Sequence, residues 1–76
     1  MPREHQLPIE RVTEDLRRRI DAGEWEPGEA LPSTAALADH YGVSRALVGK
    51  AIKALTAEGK LVTRPRWGTF VSAGPR

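Results

Sequence analysis

Five cations in this chain fall in a pattern that could hold a polyanion. Arg45, Lys50 and Lys53 lie in one short run, and Arg64 and Arg66 follow just beyond it. Ammonium and guanidinium groups bind phosphates, and a guanidinium can also fork onto the edge of a guanine. Ser33 and Ser44 each precede a run of helix-forming residues. In that position a hydroxyl accepts a bond from an orphan backbone N–H. The exposed N–H groups behind Ser44 favour an anion, and Thr34 stands ready for a phosphate at the start of the other run. Catalytic chemistry has less to work with. The chain has no cysteine, so thiol chemistry and Cys-ligated metals are excluded. His5 and His40 have no partner at ligand or nucleophile spacing, and the adjacent Glu14 and Asp15 diverge on a helix. Gly59-Lys60 lacks the upstream glycine of a phosphate loop. The expectation is no enzyme, no metal and no cofactor.

The length, 76 residues, fits one small domain with a modest core. The net charge is only +2, but its distribution is uneven. Through Gly42 there are five basic and nine acidic residues; from Val43 onward there are seven basic residues against Glu58 alone. One half carries −4 and the other +6, which points to one basic face and a polyanionic partner. No run is long enough to span a bilayer and no apolar stretch follows Met1, so a soluble cytoplasmic protein is expected.

The elements that must position these residues can be read in order. Ile9, Val12, Leu16 and Ile20 recur at helical spacing, predicting a helix over 8–22 that opens on Pro8 and closes at Gly23. Glu14 and Arg18 are spaced for a favourable i, i+4 pair. Arg17, Arg18 and Arg19 point in different directions on a helix and read as a solvated face. Residues 24–32 form a connector with a Pro27-Gly28 turn and, at Ala30-Leu31, room for a minimal strand. Trp25 is expected at the edge of the core. A short helix capped by Ser33 follows and ends at Gly42, and a third helix runs from Ser44 to about Glu58, closed by Gly59. Val48, Ala51, Ile52 and Leu55 form its buried stripe; Arg45, Ala46, Gly49, Lys50 and Lys53 fall mostly on the other side. Residues 60–64 and 68–72 read as two strands joined by Pro65-Arg66-Trp67. The fold expected is a mainly α winged helix-turn-helix over 8–72, three helices plus a β-hairpin wing, with flexible ends at 1–7 and 73–76.

On this fold the third helix enters the major groove of double-stranded DNA. Arg45 meets either a guanine edge or a phosphate, and Lys50 and Lys53 meet phosphates or base edges. Ala46 and Gly49 let the helix sit deep in the groove; the alternative for Gly49 is a tolerated surface glycine. Leu47 either touches a thymine methyl or packs beside the preceding helix. Arg64 and Arg66 reach the backbone or the minor groove, and Trp67 stacks on sugar, wedges at the groove edge or covers the hairpin.

Taken together, Ile20-Asp21-Ala22-Gly23, Pro27-Gly28, Leu31-Pro32-Ser33, Leu37-Ala38, Val43-Ser44-Arg45, Ala51, Leu55, Glu58-Gly59 and Gly68-Thr69-Phe70-Val71 resemble the DNA-binding domain of GntR-type winged-helix transcription regulators, in order and in spacing. The resemblance implies operator binding, usually repression, with Ser44 and Arg45 at the start of the recognition helix. It also marks departures. Thr34 and Ala35 replace a usual Glu-Arg pair, Leu47-Val48-Gly49 stands where Thr-Val-Arg is common, and Arg66-Trp67-Gly68 stands in the wing where Gly-x-Gly is usual. Two groove arginines are therefore missing, and the operator is expected to differ from the family's. The DNA is expected to be a pseudo-palindromic operator, with two copies of the chain pairing at most on DNA and no visible effector site. A winged-helix module that docks on protein is the alternative. RNA is disfavoured because the chain lacks a sheet of stacking aromatics.

Overall fold

The computed structural model describes residues 7–73, and its elements run α1 (Pro8–Asp21), α2 (Thr34–Tyr41), α3 (Arg45–Ala57), β1 (Leu61–Arg64) and β2 (Gly68–Val71). α1 opens at Pro8 as the sequence predicts. Leu7, expected in a flexible end, is instead its N-cap, with extended backbone (φ −68°, ψ 149°). Its carbonyl accepts from the Arg11 N–H at 3.0 Å, and its own N–H donates to the Glu10 carboxylate at 3.3 Å. Leucine offers no side-chain acceptor, so this is only the returning half of a capping box. The remaining expectation of flexible ends, at 1–6 and 74–76, lies outside the described residues.

The helix-turn-helix forms because local chemistry stops and restarts the chain at fixed places. Ser33 Oγ accepts from the Ala36 N–H at 3.0 Å and Ser44 Oγ from the Leu47 N–H at 3.1 Å, so both caps form as expected. Between them Gly42 adopts a left-handed φ of 68°. A side chain there would be strained. α1 and α2 both pack on α3. Val12 and Leu16 of α1, Leu37 of α2, and Val48, Ala51 and Leu55 of α3 are buried together, with Leu61 and Val71 closing the core from the wing. Trp25 is buried in the same cluster, as predicted for the connector.

The wing is a two-stranded antiparallel hairpin in the register Leu61↔Val71, Val62↔Phe70, Thr63↔Thr69, Arg64↔Gly68. Alternation sends Leu61 and Val71 into the core and leaves Val62 and Phe70 on the outer face. The minimal strand expected at Ala30-Leu31 forms as a single bridge, Ala30↔Phe70. Around it the N–H of Leu31 donates to Thr69 O, that of Val71 to Glu29 O and that of Gly28 to Val71 O, each at 2.9 Å. The connector is thus strapped to the wing's second strand.

Arg17 and Arg19 are not the solvated face the sequence implied, whereas Arg18, 71% exposed, remains on it. Arg17 grips the Glu58 carboxylate with Nε (3.0 Å) and Nη2. Arg18 donates to Asp15 at 3.0 Å, one residue short of the Glu14 spacing expected. Arg19 grips Glu24 with Nε and Nη2 (2.9 and 2.6 Å), donates to the Tyr41 hydroxyl at 2.9 Å and lies 4.7 Å over the Trp25 ring. Tyr41 in turn donates to Asp15 at 2.6 Å, joining α1 to the end of α2. Lys60 pairs with Asp21 at 2.8 Å.

These contacts set the acid response. The Tyr41 hydrogen bond holds the Asp15 carboxyl below its ordinary pKa, and Arg19 and Arg17 do the same for Glu24 and Glu58. Folding therefore binds fewer protons than unfolding at acid pH. The stabilisation is complete above the unfolded carboxylate values and is lost as pH falls through the lower folded ones. Chemical denaturation should show a flat midpoint above about pH 5 and a decline below about pH 4. Tyr41→Phe should make that decline shallower. A midpoint unchanged down to about pH 2 would contradict these pairings.

Candidate nucleic-acid interface

Pairing divides the cations of the described residues into two sets. Arg17, Arg18, Arg19 and Lys60 are held by carboxylates. Arg45, Lys50, Lys53, Arg64 and Arg66, and Arg11 on α1, are exposed and make no ion pair among the described residues. Glu58, the lone acid of the basic half, is occupied by Arg17. A positive potential therefore stands over α3 and the wing, uncancelled by local acids.

The helical repeat orders that face. Val48, Ala51, Ile52 and Leu55 are the buried residues of α3. Ala46, Lys50 and Lys53 lie on the opposite side, and Arg45 and Gly49 stand along its flank at i, i+4. Ser44 begins this face. Its hydroxyl accepts the Leu47 N–H and keeps its own hydrogen to donate. Ser33 and Thr34 stand exposed at the start of α2. Gly49 is mid-helix, and a Cβ built on it meets nothing within 4 Å. No packing inside the fold calls for glycine there, although glycine costs a helix about 1 kcal/mol relative to alanine. Leu47 is half-buried against the core and shares a shallow cleft with Leu7, Pro8, Ile9, Ser44, Ala46 and Lys50. The start of α1 is thus beside it, where the sequence reading had offered α2 as its neighbour.

The wing tip is shaped by Pro65. The Trp67 N–H donates to Arg64 O at 3.0 Å, closing a turn with Pro65 and Arg66 at its centre. Arg66 takes a φ of 72°. Proline followed by a positive φ is the pattern of a type II turn, which favours glycine at the third position. An arginine there is held in a left-handed conformation at a cost of about 1–2 kcal/mol. Gly68, at φ 115°, opens β2. Trp67 is 78% exposed, so it does not cover the hairpin. Its flank borders an outer cleft with Val62, Arg64 and Phe70. One exposed cation escaped the sequence reading: Arg11 on α1 has no carboxylate partner among the described residues.

Comparison with known proteins agrees with this arrangement. The model of the family "Bacterial regulatory proteins, gntR family" matches residues 8–71. The uncharacterized HTH-type transcriptional regulator YieP of Escherichia coli (strain K12) is 48% identical over 60 residues, which cover 79% of this chain and 26% of that protein. The histidine utilization repressor of Klebsiella aerogenes is 38% identical over 72 residues, covering 93% of this chain and 30% of the repressor. The chain therefore spans less than a third of the length of either relative. Among solved structures, AraR(DBD) in complex with operator ORX1 superposes with a TM-score of 0.87 at 29% identity, covering 95% of this chain and 87% of that one. The three helices and wing are the winged helix-turn-helix of that domain, and the chain belongs to the gntR family of bacterial regulatory proteins.

Proposed function

We propose that this chain binds an operator in double-stranded DNA and represses transcription in the cytoplasm, with α3 in the major groove and the wing on the backbone or minor groove. The supporting observation is the division of cations: among the described residues those on α3 and the wing strands make no ion pair, while Arg17, Arg18 and Arg19 of α1 do. Arg45 reads the groove; Ser33, Thr34 and Ser44 take phosphates; Lys50 and Lys53 take phosphates or base edges; Ala46, Leu47 and Gly49 form the close-fitting surface between them. Arg64, Arg66, Trp67 and Gly68 form the wing's contact. The sign of regulation follows the repressor relatives. Two copies pair on a pseudo-palindromic site, with half-sites about one helical turn or less apart. Family membership sets the chain among regulators, not enzymes, and does not favour the protein-docking alternative.

Selection of bound duplexes from a random pool tests this. A short two-fold motif should be enriched by the wild-type chain, and with Arg45→Ala its enrichment should fall, relaxing at one position of each half-site where Arg45 reads a base. Binding that enriches no motif and collapses in salt would reject sequence-specific recognition.

Gly49→Ala gives a second check, because its two effects have opposite signs. The variant should be more stable to urea by about 1 kcal/mol and should bind the selected duplex more weakly, since a methyl intrudes on the groove. Greater stability with unchanged affinity would place Gly49 outside the contact.

A further inference from the structure

We propose that Trp67 is a wedge that opens a base step in the minor groove beside each half-site, so that the wing selects DNA by how easily it unstacks. The inference rests on the DNA-binding reading and assigns the wing a specificity of its own. Three observations converge on it. The indole is 78% exposed and, among the described residues, meets no other ring and no cation; the ring contacts present are His40 with Tyr41 and Arg19 with Trp25. An apolar surface this large at the tip of a basic hairpin lacks a partner inside the fold. It is also flanked by Arg64 and Arg66, neither of which meets a carboxylate. Arginines of this kind are drawn to the negative potential of a narrow minor groove, and an apolar side chain beside them can enter a step and kink the duplex. Finally, the tip is braced. Pro65 fixes one torsion of the turn, Arg66 is held at φ 72°, and behind them β2 is bonded on one side to β1 and on the other to the connector. A ring on a rigid mount can transmit force to a base stack, whereas one on a mobile loop would fold back.

A wedge favours steps that unstack cheaply, namely the pyrimidine–purine steps TA and CA/TG. The wing's preference is therefore for a class of step at a fixed distance from the Arg45 contact, not for a particular base pair. Where TA is replaced by AA, wild-type affinity should drop by about tenfold, the scale of the spread in stacking free energy among DNA steps.

The experiment uses the 76-residue chain and the motif recovered by selection. Duplexes differing only in flanking steps are titrated with wild type, Trp67→Ala and Trp67→Phe, and 2-aminopurine placed in the flank reports unstacking. Circular dichroism confirms that the variants fold, as the exposure of Trp67 leads one to expect. Wild type should prefer TA flanks and brighten 2-aminopurine. Trp67→Ala should lose both effects while keeping the central motif, and Trp67→Phe should keep part of each. Selective binding with an unaltered flank profile in Trp67→Ala overturns the wedge alone. Failure of the wild-type chain to select any duplex overturns the DNA-binding reading and the wedge with it. A DNA-independent dimer that dissociates with Trp67→Ala also overturns the wedge, since the indole would then be a protein contact.

Discussion

Leu55→Ala will cost the domain about 3–5 kcal/mol, the range for truncating a fully buried leucine. Leu55 is 0% exposed and sits on the stripe of α3 that faces α1, α2 and β1. A domain's stability is about 0.05–0.15 kcal/mol per residue, so a chain of this length holds only about 4–11 kcal/mol. The urea midpoint should fall by about half, with the slope little changed. The neighbours cannot refill the space cheaply. Val12, Leu16 and Leu61 are themselves buried and belong to other segments, so collapse onto the cavity would require elements to shift. A loss below about 1 kcal/mol would mean a core that repacks freely, contrary to the packing described.

Arg45→Ala should leave stability within about 0.5 kcal/mol, as for an exposed side chain without a partner. Affinity for the selected duplex should fall by about tenfold to a hundredfold, the equivalent of one bidentate base contact. The same variant separates the two roles open to Arg45. If it reads guanine, specificity relaxes at one position and the salt dependence changes little. If it holds a phosphate, affinity falls alike on all sequences and the log–log salt slope drops by about 0.9. Binding indistinguishable from wild type would remove α3 from the groove. With two arginines fewer than is common in the family, phosphate contacts should carry a larger share of affinity, and wild-type binding should weaken steeply with salt.

Much of this architecture is legible in the residues because it is local. Ser33, Gly42 and Ser44 act within one helical turn of themselves, and the buried stripe of α3 is a matter of period. The wing strands alternate as their side chains require. What could not be read depends on packing between segments distant in sequence. Arg17 meets Glu58, and Tyr41 meets Asp15, only after α1 has settled against α3 and α2. No spacing rule connects such positions, so Arg17 and Arg19 looked merely solvated; the Arg18–Asp15 pair, at i, i+3, lies within helical spacing. Leu7 escaped notice because leucine is a poor cap; the helix starts there on the strength of Pro8 and Glu10. At the candidate site the basic face was evident from the charge split, and its membership from helical geometry. The left-handed Arg66 was not, since the sequence marks a turn at Pro65 without naming the residue that bears the strain.

The strap between connector and wing also gives the chain an order of assembly. The hydrogen bonds that tie residues 28–31 to residues 69–71 close a loop that includes α2, α3 and β1. During synthesis all three helices emerge before their seam does. Leu31 and Glu29 must wait, backbone groups unmatched, until β2 leaves the ribosome. Non-local closures of this kind come late in folding, so the nascent helices can gather while the wing is still unformed. On the proposed reading, the surface that meets a duplex is finished only when the domain as a whole is finished, and a partly made chain has no complete hand with which to hold an operator.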